Sequence, residues 1–134
     1  SKYWKSGPKS FLGLLVPKFP NLFIVSGPGS PSVLTNVPVQ IEQHVEWITK
    51  CIKFLENNKR QSIESTNVAA NKWQKEIMNS VKKTLFMKAK SSWYKGDNIP
   101  GKSNSFLPYP GGMPKYRKAC LKVEKTNYKE LKIT

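Results

Sequence analysis

The residues best placed for chemistry lie in a turn at residues 27–30, which follows a short apolar run. The run, residues 22–25, contains branched and aromatic side chains between Pro20 and Gly27, a pattern typical of a strand that is buried on both faces. In open α/β sheets, ligands bind just beyond the carboxyl ends of strands, where backbone amides and a helix N-terminus face them. The turn is therefore the first candidate for a binding site.

The same turn partly matches a dinucleotide-binding fingerprint. Residues 27–32 give G-x-G-x-x-S, where a third glycine or an alanine is expected, and two prolines stiffen a loop that should wrap tightly into a helix. No helix is predicted directly after the turn, and the acidic residue that binds the ribose in such sites is missing further along the chain. These departures favour an ordinary strand-to-helix connection over a phosphate-binding loop.

Histidine and cysteine offer little for catalysis. His44 is the only histidine, and no serine, cysteine or carboxylate stands at a spacing that would activate it, so we expect a packed or solvated side chain. Cys51 and Cys120 lie far apart without a C-x-x-C or Cys/His pattern, which indicates free, largely inert thiols. The sequence predicts no catalytic residue and no metal site.

A second unusual stretch, residues 91–102, combines Trp93 and Tyr94 with glycine, proline and Lys102. Exposed aromatic side chains beside a lysine could stack on a flat ring and contact a phosphate. An ordinary loop anchored by one buried tryptophan has the same composition. The residues alone leave both interpretations open.

A long helix is predicted after the turn. It should begin at Pro38, with Asn36 or Val37 as its cap, and end near Leu55. Its aliphatic residues recur at three- and four-residue spacing and predict one buried face, formed by Ile41, Val45, Ile48, Ile52 and Leu55.

Two further helices and two short strands complete the predicted elements. One helix should follow Thr66 or Asn67, with a buried stripe of Ala69 or Ala70, Trp73, Ile77, Val81 and Leu85. The other should run from about Lys115 to Lys125, with Tyr116, Cys120 and Val123 facing inward. Residues 11–16 and 106–109 are expected to form strands, the second at a sheet edge, and residues 127–134 a tail.

The formal charge of +15 admits an alternative function, a small basic module that binds nucleic acid or another polyanion. Arg60 and Arg117 are the only arginines and the lysines are scattered, which favours a solvated surface without nucleic acid. No apolar run approaches the ~20 residues that span a bilayer, and no signal peptide is recognisable. We therefore expect a soluble, cytoplasmic protein without membrane contact.

Five segments together carry a resemblance: FPNLFIVSGPGSP, IEQHVEWI, SWYKGDNIPGK, FLPYPGG and YRKAC. In this order and spacing, from about Trp4 to Tyr128, they resemble the C-terminal portion of flavin-dependent Baeyer–Villiger monooxygenases of the cyclohexanone and phenylacetone type. The resemblance implies the α/β fold class and the C-terminal part of a flavoprotein with two dinucleotide-binding domains. The implied order is strand, turn, long helix, helix, loop and terminal helix.

The resemblance also implies domains, cofactors and site residues. Residues 1–60 would close the FAD-binding domain, and residues 61–134 would form a helical tail with a loop that contacts NADP. In the family, NADPH reduces FAD, and the reduced flavin activates oxygen for insertion beside a ketone carbonyl, which gives esters or lactones. By position, the substrate pocket would receive Ser32, Val33 and Leu34, and the cofactors would contact Gly27, Pro28, Val37, Trp93 and Lys102.

The catalytic arginine and the G-x-G-x-x-G fingerprints of the family lie upstream of the matching portion. We therefore expect a fragment that lacks the N-terminal FAD and NADP domains, and that alone neither holds FAD tightly nor turns over. Relatives of these flavoproteins oxidise nitrogen or sulfur, so the atom that receives oxygen stays open.

Overall fold

The computed structural model describes residues 4–5, 7–88, 92–96, 100–101 and 105–134 of the chain. Its helices are α1 (Val37–Asn57), α2 (Asn67–Val81) and α3 (Met113–Lys125), and its strands are β1 (Ile63–Ser65) and β2 (Leu131–Ile133). Short 3₁₀ helices cover Ser32–Leu34 and Leu85–Lys88. The strands pair antiparallel, with Ile63 opposite Ile133 and Ser65 opposite Leu131.

Polar side chains cap the first two helices at the predicted positions. The Asn36 side chain accepts a hydrogen bond from the backbone N–H of Val39 at 3.3 Å, and Pro38 lies in the first turn of α1. The Thr66 hydroxyl accepts from the N–H of Ala69 at 3.0 Å. Each cap satisfies an amide that the helix itself leaves unpaired, and the predicted helix starts are confirmed.

The predicted stripes of α2 and α3 are buried, with one exception. Ala69, Ala70, Trp73, Ile77 and Val81 form the core face of α2, and Tyr116, Cys120 and Val123 that of α3. The prediction was wrong for Leu85, which is 77% exposed. Because α2 ends at Val81, Leu85 lies in the following 3₁₀ helix, where the helical spacing no longer places it on the core face.

The predicted core face of α1 was also wrong for most of its members. Ile41, Val45 and Ile52 are 39%, 50% and 42% exposed, whereas the face opposite them is buried. The buried side chains are Gln40, Gln43, His44, Trp47, Cys51 and Leu55. Residues 40 and 44 find hydrogen-bond partners at Ser26 and Ser30, before the helix, which offsets part of the cost of burying polar groups. The Gln40 Oε1 atom is buried without a partner among the described residues.

The predicted strand at residues 22–25 is not a regular buried strand. Only Phe23 pairs, in an isolated bridge with Leu15, while Leu22 and Val25 are exposed. A run that is apolar on both sides is buried only when other elements cover both sides. In the part of the chain that the structure describes, neither end of this run has such cover, since Leu22 and Val25 are both exposed.

Residues 11–16 are buried, but they form a tight turn instead of the predicted strand. Leu12 and Gly13 have left-handed φ values of 58° and 72°, and Phe11 pairs with Leu15 across the turn. A Cβ atom at Gly13 would lie 2.5 Å from the backbone nitrogen of Ser30. Glycine therefore lets the 11–16 turn pack directly against the 27–30 turn.

Residues 106–109 are likewise not a strand, although their backbone pairs with the 27–30 turn at Gly29 and Ser30. The sheet that does form, β1 with β2, was missed in the sequence, and β2 lies within the predicted tail. One hydrophobic cluster draws residues from both predicted domains, 1–60 and 61–134, and that division stays a prediction. None of the described helices is long and apolar enough to cross a membrane, and the cytoplasmic location stays a prediction.

Candidate functional site

A surface groove of about 180 Å³ lies beside the 27–30 turn. Its lining comes from three separate segments of the chain: Ser26, Gly27, Pro28, Ser32, Trp93, Leu107 and Pro108. The groove thus brings Gly27 and Pro28 of the turn, Ser32 of the 3₁₀ helix and Trp93 of the later loop to one place. All four were candidates from the sequence.

The 27–30 turn beside this groove is held by hydrogen bonds from distant elements. The indole N–H of Trp73 on α2 donates to the Gly29 carbonyl at 2.8 Å. The Gly29 N–H donates to the Leu107 carbonyl at 2.6 Å, and the Tyr109 N–H donates to the Ser30 carbonyl at 2.7 Å. The turn is therefore fixed from α2 and from residues 107–109 at once.

His44 holds the start of the turn. Its Nδ1 accepts a hydrogen bond from the Ser26 N–H at 3.0 Å, and its Nε2 lies 2.7 Å from the hydroxyl of Tyr116 on α3. That hydroxyl donates to the Leu12 carbonyl at 2.6 Å. Because Nδ1 accepts and the Tyr116 proton is committed, the neutral imidazole carries its proton on Nε2 and donates to Tyr116.

Burial keeps this imidazole neutral. His44 is fully buried, and desolvation lowers its pKa to about 4. The expectation of a packed histidine is confirmed, and the groove lining does not include His44.

Gln40, one helical turn before His44, supports the same turn. Its side-chain amide donates to the hydroxyls of Ser26 at 2.9 Å and Ser30 at 3.2 Å. Ser30 in turn donates to the Gly27 carbonyl at 2.7 Å. Sequence reasoning missed these supporting residues, although the polar spacing of Gln40, Gln43 and His44 on one helix face was a usable signal.

Three other predicted site residues, Val33, Leu34 and Val37, follow Ser32 in the chain but do not line the groove. Val33 and Val37 are exposed near the start of α1, and Leu34 packs against the core. The Trp93 ring is half-exposed and stacks on Tyr94 with centroids 4.2 Å apart. This favours the exposed-aromatic interpretation over a loop anchored by a buried Trp93. Lys102 lies outside the described residues.

The groove and the adjacent helix start fit the cofactors that the resemblance implies. The first turn of α1 contains no acidic side chain, and Val33 and Val37 present apolar surface there. A helix N-terminus carries a partial positive charge, so this region suits a flat aromatic group that gains negative charge. The exposed indole of Trp93 provides a stacking surface on the groove.

The two thiols are buried and unpaired with each other, as expected. Burial raises the pKa of Cys51 and of Cys120 to about 12. No group of three or more His, Cys, Asp or Glu residues in the described ranges is placed to hold a metal ion.

No protein-family model matches the chain. Individual proteins do. The chain is 45% identical over 115 residues to cyclohexanone 1,2-monooxygenase from Acinetobacter sp, which covers 86% of this chain and 21% of the relative. It is 41% identical over 128 residues to a Baeyer–Villiger monooxygenase from Pseudooceanicola batsensis, which covers 96% of this chain and 23% of the relative.

The comparison of structures agrees with the comparison of sequences. It matches the crystal structure of OTEMO in complex with FAD and NADP with a TM-score of 0.89 and 30% identity, over 99% of this chain and 24% of that one. The chain is homologous to a segment of the Baeyer–Villiger monooxygenases. It spans less than a quarter of the length of the Baeyer–Villiger relatives given above. The resemblance inferred from sequence is confirmed, and none of these matches supports the polyanion-binding alternative.

Proposed function

We propose that the protein to which this segment belongs is an FAD- and NADPH-dependent monooxygenase that inserts oxygen beside a ketone carbonyl to give esters or lactones. The segment contributes a wall of the substrate pocket and a loop that closes over the nucleotide. One observation carries the proposal. A single groove combines Gly27, Pro28, Ser32 and Trp93, residues that the resemblance assigns to the cofactors and to the substrate pocket.

When bound, FAD and NADPH supply the reducing equivalents and the activation of oxygen. The segment provides groups that position the substrate and the flavin. Leu34 anchors the 3₁₀ helix in the core, so that Ser32 and Val33 face outward as a fixed part of the pocket wall. Val37 lies at the positive end of α1, where it can contact the flavin while the helix dipole stabilises negative charge.

Trp93 closes the site in this proposal. Its exposed ring can stack on the nicotinamide nucleotide, and Lys102, nine residues later in the sequence, is a candidate for a nucleotide contact. A closed loop excludes water, which protects reactive species from unproductive breakdown.

The remaining domains of the enzyme would cover the outer face of α1. Ile41, Val45 and Ile52 leave a row of exposed aliphatic side chains on a helix whose other face is already buried. The relatives contain about four times as much chain as this segment, which is ample to cover that row.

The test uses the intact polypeptide, isolated from its source cells through an antibody against this segment. We expect yellow flavin absorbance, and with NADPH and a panel of cyclic and linear ketones we expect ester or lactone products by mass spectrometry. Flavin with oxidation of amines or sulfides only would reassign the substrate. A polypeptide near 15.3 kDa without flavin would overturn the proposal.

A matched pair of variants tests the loop. Trp93→Ala should raise the KM for NADPH about tenfold, because an aromatic stacking contact is lost. Trp4→Ala is the control, since Trp4 is also exposed but lines a different groove, with Pro17 and Asn71. Equal effects of the two substitutions would remove Trp93 from the nucleotide site.

A further inference from the structure

Ser26 lines the groove and is hydrogen-bonded to the buried side chains of His44 and Gln40. Its backbone has a left-handed φ of 57°, which is unfavourable for a residue other than glycine. Two contacts from α1 hold it there: its N–H donates to His44 Nδ1, and its hydroxyl accepts from Gln40. Ser26 directly precedes Gly27 and Pro28, so the backbone conformation of Ser26 determines how the backbone of these two residues is oriented.

The acceptor at His44 is itself fixed. The Nε2–H of His44 donates to Tyr116, and Tyr116 donates to the Leu12 carbonyl. Rotating or flipping the imidazole ring would therefore break its hydrogen bonds to both Ser26 and Tyr116. His44 and Tyr116 are both fully buried. The lone pair on Nδ1 is therefore held towards the Ser26 N–H.

We propose that His44 is a positioning residue for the groove: its Nδ1 acceptor fixes the Ser26 peptide and, through it, the Gly27-Pro28 wall. The effect on catalysis rests on the proposed monooxygenase function, while the effect on the turn does not. An aliphatic side chain at position 44 would fill the space, but it would leave the Ser26 N–H without its acceptor.

Two amide side chains separate positioning from packing. In His44→Asn the side-chain oxygen replaces Nδ1, so the acceptor for Ser26 is kept and the partner of Tyr116 is lost. In His44→Gln the longer side chain replaces Nε2, so the partner of Tyr116 is kept and the acceptor for Ser26 is lost. Each variant loses one buried hydrogen bond, and both keep the Gln40 contact to Ser26.

The first readout is hydrogen exchange of the Ser26 amide, followed by NMR or mass spectrometry in the intact protein. We expect wild type and His44→Asn to differ by less than about threefold, and His44→Gln to exchange at least about tenfold faster. This readout needs no activity, so it decides the inference even if the protein does not oxidise ketones.

The second readout is steady-state kinetics with a ketone. His44→Gln should raise KM about tenfold with a smaller change in kcat, because substrate and cofactor then meet a displaced wall, whereas His44→Asn should keep KM near the wild-type value. A role in stability alone predicts that the two amide variants, which lose one bond each, behave alike. Equal KM values and equal Ser26 exchange in the two variants would overturn the proposal.

Discussion

The indole N–H of Trp73 on α2 donates a hydrogen bond to the carbonyl of Gly29 at 2.8 Å. The same ring stacks on Tyr109, with centroids 4.9 Å apart. One side chain thus joins α2, the glycine turn and the segment at residues 107–109. These contacts hold Gly29, which directly follows the groove residues Gly27 and Pro28.

Trp73→Phe should lower the free energy of unfolding by about 1–3 kcal/mol, because the Gly29 carbonyl loses a buried donor while an aromatic ring remains. Urea denaturation followed by circular dichroism measures the change. Trp93→Phe is the matched control, since Trp93 is half-exposed, and it should shift stability by less than about 0.5 kcal/mol. Equal losses in both variants would contradict an anchoring role for Trp73.

Gly13→Ala should destabilise the fold by about 2–4 kcal/mol, since the new Cβ adds a clash to the cost of a left-handed backbone. The Cβ would lie 2.5 Å from the Ser30 nitrogen. Gly101→Ala isolates the backbone cost. Gly101 has a similar φ of +77°, and its Cβ would meet nothing within 4 Å, so thermal unfolding should show a far smaller loss.

Acid should weaken the fold through His44. Its pKa is about 4 in the folded chain and near 6.5 in the unfolded chain, so between these values the unfolded state binds a proton that the folded state excludes. The contribution of neutral, buried His44 to the free energy of unfolding is therefore complete above pH 6.5. It declines as pH falls towards 4, by about 3 kcal/mol in all.

The measurement is urea denaturation at several pH values between 4 and 7, for wild type and His44→Asn. Since His44 is the only histidine, the substitution should remove most of the slope between pH 5 and 6.5. An unchanged slope in the variant would assign the effect to other groups.

The two cysteines should resist alkylation in the folded protein. At pH 8, raising a thiol pKa from 9 to about 12 lowers the thiolate fraction about a thousandfold, and burial adds a steric barrier. Iodoacetamide followed by mass spectrometry should show no label under native conditions and two labels in urea. Rapid labelling of either thiol without urea would show that its site opens locally.

The outer face of α1 should promote self-association of the isolated segment. Val45→Lys should reduce that association in gel filtration, because a charge then interrupts the exposed aliphatic row. It should change the unfolding free energy by less than about 0.5 kcal/mol. Leu55→Ala, on the buried face, is the contrast and should cost about 2–5 kcal/mol. A wild-type segment that stays monomeric at high concentration and binds no hydrophobic dye would refute the prediction.

Helices α1 and α2 and the residues around the groove were predictable from local sequence patterns. Caps at Asn36 and Thr66, and the stripe around Trp73, act within a few residues, so local pattern was sufficient to place α1 and α2. The groove residues Gly27, Pro28 and Trp93 were likewise visible as unusual turn and loop chemistry.

The buried face of α1 and the pairing of the short strands depend on long-range contacts, so local patterns could not predict them. Periodicity shows that a helix has an apolar face, but it cannot show that Gln40 and His44 find hydrogen bonds in a turn that precedes the helix. The pairing of Ile63 with Ile133 is equally non-local. Such contacts join residues far apart in the chain, and their free energy depends on partners that a local pattern does not contain.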